Sequence, residues 1–357
     1  MRMSALVLGS CLSGLVVGGC MTIDGFIYNG APVDGYAWDE DPPDPDLEGA
    51  FTELHPSKIG PEWRIEGMLA VEGRDVHYVY AHRPDASATI FYSHGNYRNI
   101  GHYWERVELM WTLGFNVMIY DYPGYGLSTG EPDEASVYAN AAAVLEELAQ
   151  MPGYDPERLI FFGFSLGGGP TYEMALRGVR GEGPRPKAVI SEAAFCSVEA
   201  LVQDGTFLGI SGSFLSKHRY DNCGKIGLLE DTPTMILHGD AETFIVPRHA
   251  EMLAERASGP LTLHWVEGGR TAICRRSRGR RTGSGSRRSW RGASERGDAR
   301  SLKEHDPVEV LVLVAGGELG VDEAVADDRA QVDGLVAVEV AAELHVELGA
   351  PADREGL

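Results

Sequence analysis

A serine attacks a carbonyl only where its hydroxyl is presented in the open, a base takes its proton and N–H donors catch the developing negative charge. The pentapeptide Gly163-Phe164-Ser165-Leu166-Gly167 has the residues for the first of these tasks. It follows the apolar run Leu159-Ile160-Phe161-Phe162 and leads through Gly168-Gly169 into a helix-forming stretch. A serine on a sharp strand-to-helix turn needs small residues two before and two after it, so that the backbones can approach and push the hydroxyl outward. The helix that starts there aims unsatisfied N–H groups at the same spot. Ser165 is therefore the candidate nucleophile, and the Leu166 N–H is one candidate oxyanion donor.

The other groups such a site requires lie at the ends of neighbouring apolar runs. Ser93-His94-Gly95-Asn96 closes the run at 88–92, and a backbone N–H after a His-Gly pair can turn toward the serine. Asn96 N–H is the second candidate donor, although His94-Gly95 also suits a plain tight turn. Asp121-Tyr122-Pro123-Gly124-Tyr125-Gly126-Leu127-Ser128 follows the next run. Its glycines and proline make a loop in which Asp121 accepts backbone hydrogen bonds. His238-Gly239-Asp240-Ala241-Glu242 ends the run at 234–237 and offers two carboxylates to orient and stabilise an imidazolium. Cysteine and histidine spacings lack C-x-x-C and H-E-x-x-H, so no dedicated metal site is indicated.

The elements that must hold these residues alternate. Strand-like runs fall at 88–92, 115–120, 159–164, 187–191, 234–237 and 261–266, with helical patterns at 103–112, 134–150, 166–177 and 248–257. That order predicts an α/β fold with a mostly parallel central sheet and helices on both faces. Ahead of it, 64–71 and 75–82 flank Glu72-Gly73-Arg74 and suit an antiparallel hairpin. Residues 193–229 break the rhythm, as a small cap insertion or as a long connection with one helix.

With 357 residues and 43% hydrophobic content, the chain can bury a sizeable core. A net charge of -22 argues against a nucleic-acid partner, because such a surface repels phosphate. Arg2 precedes an apolar stretch at 5–17 that is too short to span a bilayer and ends in small residues, as in an export signal. Leu15-Val16-Val17-Gly18-Gly19-Cys20 resembles a bacterial lipobox, which implies lipidation of Cys20 and a soluble domain anchored to the cell envelope. Met21 stands where some lipoproteins carry an inner-membrane retention aspartate, which favours the outer membrane. The acidic, proline-rich residues 39–46 suit an extended tether, so 21–62 is expected to link the anchor to a domain starting at Trp63. Apart from Cys11, Cys20 and Cys274, only Cys196 and Cys223 remain, and they can pair in an oxidising compartment or stay as free thiols.

Taken together, Ser93-His94-Gly95-Asn96, Asp121-Tyr122-Pro123-Gly124-Tyr125-Gly126, Gly163-Phe164-Ser165-Leu166-Gly167-Gly168 and Leu237-His238-Gly239-Asp240 resemble the α/β-hydrolase-fold serine hydrolases. Their order and spacing are most similar to the branch holding acyl-protein thioesterase-like hydrolases of eukaryotes and many bacterial lipoprotein hydrolases. The resemblance spans 63–269. It implies a cofactor-free serine hydrolase acting on a small-molecule or acyl substrate, cleaving an ester, thioester or amide. It places the triad acid three residues after the glycine of His-Gly, at Glu242, with Asp240 as a rival because the family more often carries aspartate.

The resemblance also implies a histidine in the loop after the last strand. Here 261–266 runs into Glu267-Gly268-Gly269 and then Arg270-Thr271-Ala272-Ile273-Cys274-Arg275-Arg276, with no histidine. At the same point composition changes, to an Arg-, Gly- and Ser-rich segment at 270–303 and an acidic Val- and Ala-rich one at 304–357. One reading is a disordered tail. The other is a slipped reading frame: CGC-ACG-GCA-ATC-TGC-CG would encode Arg270 to Arg275, and the same letters read one base earlier would give x-His-Gly-Asn-Leu-Pro. His94, His305 and His345 are the substitute bases on offer, and His264 lies within a strand as a packing residue. Without a base, the chain is instead an inactive hydrolase-fold binding protein or a truncated product.

Overall fold

The computed structural model describes residues 27–39, 57–205, 216–266 and 269. The lipobox with Cys20, most of the acidic run, residues 206–215 of the interrupting segment and the tail from 270, including Cys274, His305 and His345, lie outside the described residues.

A short strand β1 (Asn29–Gly30) precedes β2 (Arg64–Val71), β3 (Arg74–Ala81), β4 (Ala88–Ser93), β5 (Tyr97–Arg98) and helix α1 (Ile100–Thr112). Then come β6 (Phe115–Tyr120), α2 (Glu134–Leu148), β7 (Leu159–Phe164), α3 (Gly168–Val179), β8 (Ala188–Glu192), α4 (Val198–Gly205) and α5 (Asn222–Ile226). The described chain closes with β9 (Thr234–Gly239), α6 (Arg248–Arg256) and β10 (Leu261–Val266). The main sheet has eight strands in the order β10-β9-β8-β7-β4-β6-β3-β2. It is parallel from β10 to β6, and the β2–β3 hairpin adds the antiparallel edge. The hairpin turn is tighter than expected: Val71 pairs with Arg74, leaving two loop residues, Glu72 and Gly73, both at positive φ.

The central strands are buried on both faces, which explains their uninterrupted apolar runs. Along β4 the side chains still alternate: Phe91 joins the layer under α2, α3 and α6, and Ile90 and Tyr92 join the layer under α1. Helix α2 starts where Asp133 and Ser136 cap each other, Asp133 Oδ1 accepting the Ser136 N–H at 2.7 Å and Ser136 Oγ the Asp133 N–H at 2.9 Å. Strand β10 forms one sheet edge, and each of its residues, His264 included, is half-buried.

Two sequence expectations change. The domain does not begin at Trp63, because residues 27–39, placed by expectation in a tether, pack onto it. Ile27 is buried, β1 pairs in parallel with β5, and Trp38 lies against Trp104 with ring centroids 4.3 Å apart. Aromatic side chains at Tyr28, Tyr36 and Trp38 supply the apolar area that the acidic residues after them lack. In the interrupting segment, a Cys196–Cys223 disulfide spanning 27 residues ties the chain just ahead of α4 to α5, which resolves the two options left open for these thiols.

Candidate active site

Ser165 follows the last residue of β7 and has φ +53°. Left-handed backbone at a non-glycine residue costs about 1–3 kcal/mol and persists only where the surroundings impose it. Here they do. A Cβ on Gly163 would lie 2.5 Å from Thr171 Oγ1 and 2.6 Å from the Gly167 carbonyl. A Cβ on Gly167 would run into the Ser93 carbonyl and come within 2.7 Å of the His94 carbonyl. The two glycines therefore let the turn close on itself and on the loop after β4. Leu166 is the second residue of the 3-10 turn Ser165–Gly167 that opens α3, where the first N–H groups have no acceptor within the turn.

The loop carrying Asn96 is held from beneath. His94 is fully buried, and its Nδ1 lies 2.7 Å from the Gly95 carbonyl. Burial lowers the pKa of His94, so the ring is neutral and donates from Nδ1. The Tyr122 hydroxyl donates to the His94 carbonyl at 2.6 Å, and the Tyr125 hydroxyl to the Asn96 carbonyl at 3.0 Å. Two aromatic residues of the 121–128 loop thus hold this loop in place. Asp121 accepts backbone hydrogen bonds, as expected, from Ile100 N–H at 3.0 Å and Leu127 N–H at 3.4 Å.

The two carboxylates after β9 are in different environments. Asp240 is exposed, whereas Glu242 is 5% exposed and its Oε1 accepts the Thr243 N–H at 2.8 Å and the Phe244 N–H at 2.7 Å. Two backbone donors fix the position of that carboxylate. The Ala241 N–H donates to the Gly269 carbonyl at 3.2 Å, so the chain leaving β10 returns to the turn that holds Glu242.

Ser165, Asn96 and Glu242 all follow the carboxyl ends of strands in the run β9-β8-β7-β4. Adjacent strands lie about 4.8 Å apart, which puts Asn96 one strand and Glu242 two strands from Ser165, roughly 10 Å on the acid side. Four of the described histidines are engaged elsewhere: His238 Nε2 donates to the Ile245 carbonyl at 2.7 Å, and His249 Nδ1 accepts the Cys196 N–H at 3.2 Å. His77 bridges Asp121 and Glu66, and His94 is committed to Gly95.

Sequence reasoning missed one feature of the site. Glu192, at the end of β8 and in register with Phe164, forms a two-point ion pair with Arg106 at 2.6 and 3.0 Å. Arg106 also lies over the Phe164 ring, 4.2 Å from its centroid. The pair braces the residue immediately before Ser165. Lone charges on a helix and a strand end carry no sequence signal that they meet.

A model of the alpha/beta hydrolase family matches residues 90–341. The chain is 31% identical to YfhR of Escherichia coli (strain K12) over 186 residues, 52% of this chain and 63% of that protein. It is 28% identical to human alpha/beta hydrolase domain-containing protein 17B over 192 residues, 52% of this chain and 60% of that protein. The chain thus spans less than two thirds of the length of either relative. Among solved structures, Est1E of Butyrivibrio proteoclasticus, with ferulic acid bound, has a TM-score of 0.48 at 14% identity, covering 57% of this chain and 90% of that one. With the family model matched over well over half of its 357 residues and the parallel sheet and serine turn in place, the chain belongs to the alpha/beta hydrolase family.

Proposed function

We propose that this chain is a serine hydrolase that cleaves an ester, thioester or amide, with Ser165 as nucleophile. The observation that carries the reading is the left-handed backbone at Ser165, enforced by the close packing of Gly163 and Gly167. Ser165 Oγ attacks the acyl carbonyl and yields its proton to a base, while the N–H groups of Asn96 and Leu166 receive the oxyanion. The tetrahedral centre collapses to an acyl-enzyme as the base protonates the departing alcohol, thiol or amine. Water activated by the same base then releases the acid and restores Ser165. Glu242, buried and held by two N–H donors, orients the base. No cofactor enters these steps.

The base is the histidine expected after β10, which the present reading frame replaces with Arg270-Thr271-Ala272. The branch resemblance favours an acyl substrate. Lipidation of Cys20 would hold the domain at the bacterial envelope, outside the cytoplasm, and the Cys196–Cys223 disulfide supports an oxidising compartment.

A fluorophosphonate probe tests the reading. Wild-type chain is expected to take the label and Ser165→Ala to lose it, while both keep the same thermal midpoint. A specific observation also favours a second reading, an inactive hydrolase-fold binding protein or truncated product: no histidine lies between Gly269 and Arg276. Folded wild-type protein that takes no label supports it, and resequencing the codons for 266–276 separates a slipped frame from a lost base.

A further inference from the structure

Three successive carbonyls of the loop after β4 are tied down: His94 by the Tyr122 hydroxyl, Gly95 by His94 Nδ1, and Asn96 by the Tyr125 hydroxyl. The Gly95 carbonyl and the Asn96 N–H belong to one trans peptide, so fixing the first on the His94 side turns the second away from it. The Asn96 carbonyl has a second donor, the backbone N–H of Asn29, at 3.0 Å, and the same N–H lies 3.0 Å from the Tyr125 hydroxyl. Asn29, Tyr125 and Asn96 therefore close a triangle of hydrogen bonds in which one corner comes from the N-terminal arm.

The arm is built for this contact. Asn29 and Gly30 pair in parallel with Tyr97 and Arg98, and the Ala31 N–H donates to the Arg98 carbonyl at 2.9 Å. A Cβ on Gly30 would lie 2.7 Å from the Tyr125 ring, so only glycine lets the arm lie flat on it. The Ala31 carbonyl accepts from Asn99 Nδ2 at 2.9 Å and from the Gly126 N–H at 3.1 Å, stitching the arm to both loops at once. At its start, the Tyr28 hydroxyl meets the Tyr220 hydroxyl at 2.8 Å, a residue of the segment that interrupts the alternating fold. Two-residue pairing is too short to persist alone, which makes these side-chain anchors the reason it forms.

We infer that residues 27–33 are a positioning element of the catalytic site, holding the loop at 94–98 in its working shape through the Asn29 N–H and the Tyr125 hydroxyl. The inference rests on the reading of Asn96 as an oxyanion donor. Neither Asn29 nor Tyr125 touches the reacting atoms. They act through the loop that does, in a reaction where a misplacement of about 1 Å costs on the order of a hundredfold in rate.

The test uses the full chain with Asn29→Pro, which deletes the N–H while keeping extended backbone, and Tyr125→Phe, which deletes the hydroxyl. Both are expected to speed hydrogen exchange of the amides at 94–98 by about tenfold or more, with exchange in 159–164 unchanged. Both are also expected to lower the maximal rate of fluorophosphonate labelling by about ten- to a hundredfold, with the half-saturating probe concentration and the thermal midpoint nearly unchanged. Unchanged loop exchange in both variants overturns the inference. So does a labelling loss that only tracks a fall in thermal midpoint, since that marks a purely structural arm. A wild type that takes no label counts against activity of the chain as written, not against the arm, and the exchange result then decides the arm's role by itself.

Discussion

Replacing His77 with glutamine should change both the stability of this protein and its dependence on pH. His77 is 1% exposed, with Nδ1 3.0 Å from Asp121 Oδ2 and Nε2 2.7 Å from Glu66 Oε1. Burial alone would lower its pKa, but the hydrogen bonds and charges of Asp121 and Glu66 outweigh it and hold the pKa at about 9. The imidazolium is thus favoured in the folded state over the unfolded chain, where a histidine titrates near 6.5. Its stabilisation is fully present below about pH 6.5 and is lost as pH rises through about 9. The gap between the two values corresponds to about 3 kcal/mol. Other buried histidines fall outside this window: burial holds His102 and His249 near 4, so their effect changes on the acid side. Urea denaturation of the wild type should show about 3 kcal/mol lost between pH 6 and pH 9. His77→Gln should flatten that slope and, by leaving the fully buried Asp121 without its cation, cost about 3–5 kcal/mol at pH 6. A wild type and a variant with the same slope would refute the reasoning, because His77 would then not be charged in the fold. The consequence reaches the site, since Asp121 also accepts the Tyr36 hydroxyl of the arm at 2.7 Å and the N–H of Ile100 at the start of α1.

Three further outcomes follow from the same geometry. Reducing the Cys196–Cys223 bond, which closes a loop spanning 27 residues, should cost about 3 kcal/mol in urea melts run with and without reductant, and an unchanged midpoint would count against a closed bond in the folded protein. Ser165→Gly should abolish fluorophosphonate labelling yet stabilise the fold by about 1 kcal/mol, because glycine relieves the φ of +53°; a destabilised variant would mean that the turn is not strained. Gly167→Ala should destabilise by about 2–3 kcal/mol or more, as its methyl collides with the Ser93 carbonyl, and a well-folded, fully stable variant would show that the turn does not close on that loop.

Much of this was legible in the sequence because it is written locally. Apolar runs of 4–6 residues alternating with helical patterns pointed to the parallel sheet, and Gly163 and Gly167 flanking Ser165 to the turn. The difference in burial between Asp240 and Glu242 was not local. It depends on which side chain folds back under its own turn, and burial separates them. The arm was misassigned because the acidic, proline-rich residues that follow it dominate composition over the Tyr28, Tyr36 and Trp38 anchors before them. Those anchors bind partners far away in the chain: Tyr28 reaches Tyr220, 192 residues on, and no pattern in the arm specifies that partner. The Arg106–Glu192 pair, 86 residues apart, was invisible for the same reason.

The turn that holds Glu242 lies beside the place where the family resemblance implies a histidine and this sequence has Arg270-Thr271-Ala272. Glu242 is buried, with two backbone donors on one oxygen. The Gly269 N–H donates to the Val266 carbonyl at 3.0 Å and its carbonyl accepts the Ala241 N–H at 3.2 Å, so the chain at 269 has turned back to that carboxylate's own loop. With the codons considered above, a frame shifted by one base would place histidine at position 271, two residues on and within about 8 Å of the Gly269 Cα. An imidazole carried there can bridge the roughly 10 Å from the acid's strand to the serine's. A gene given one extra base ahead of the Arg270 codon should therefore yield a chain that labels faster than the present one by about three powers of ten or more, the scale on which a triad histidine acts. Replacing the restored histidine with alanine should return the rate to that of the present chain. A repaired chain that labels no faster would refute the slipped frame as the source of the missing base, and would leave Glu242 holding its turn rather than orienting a base.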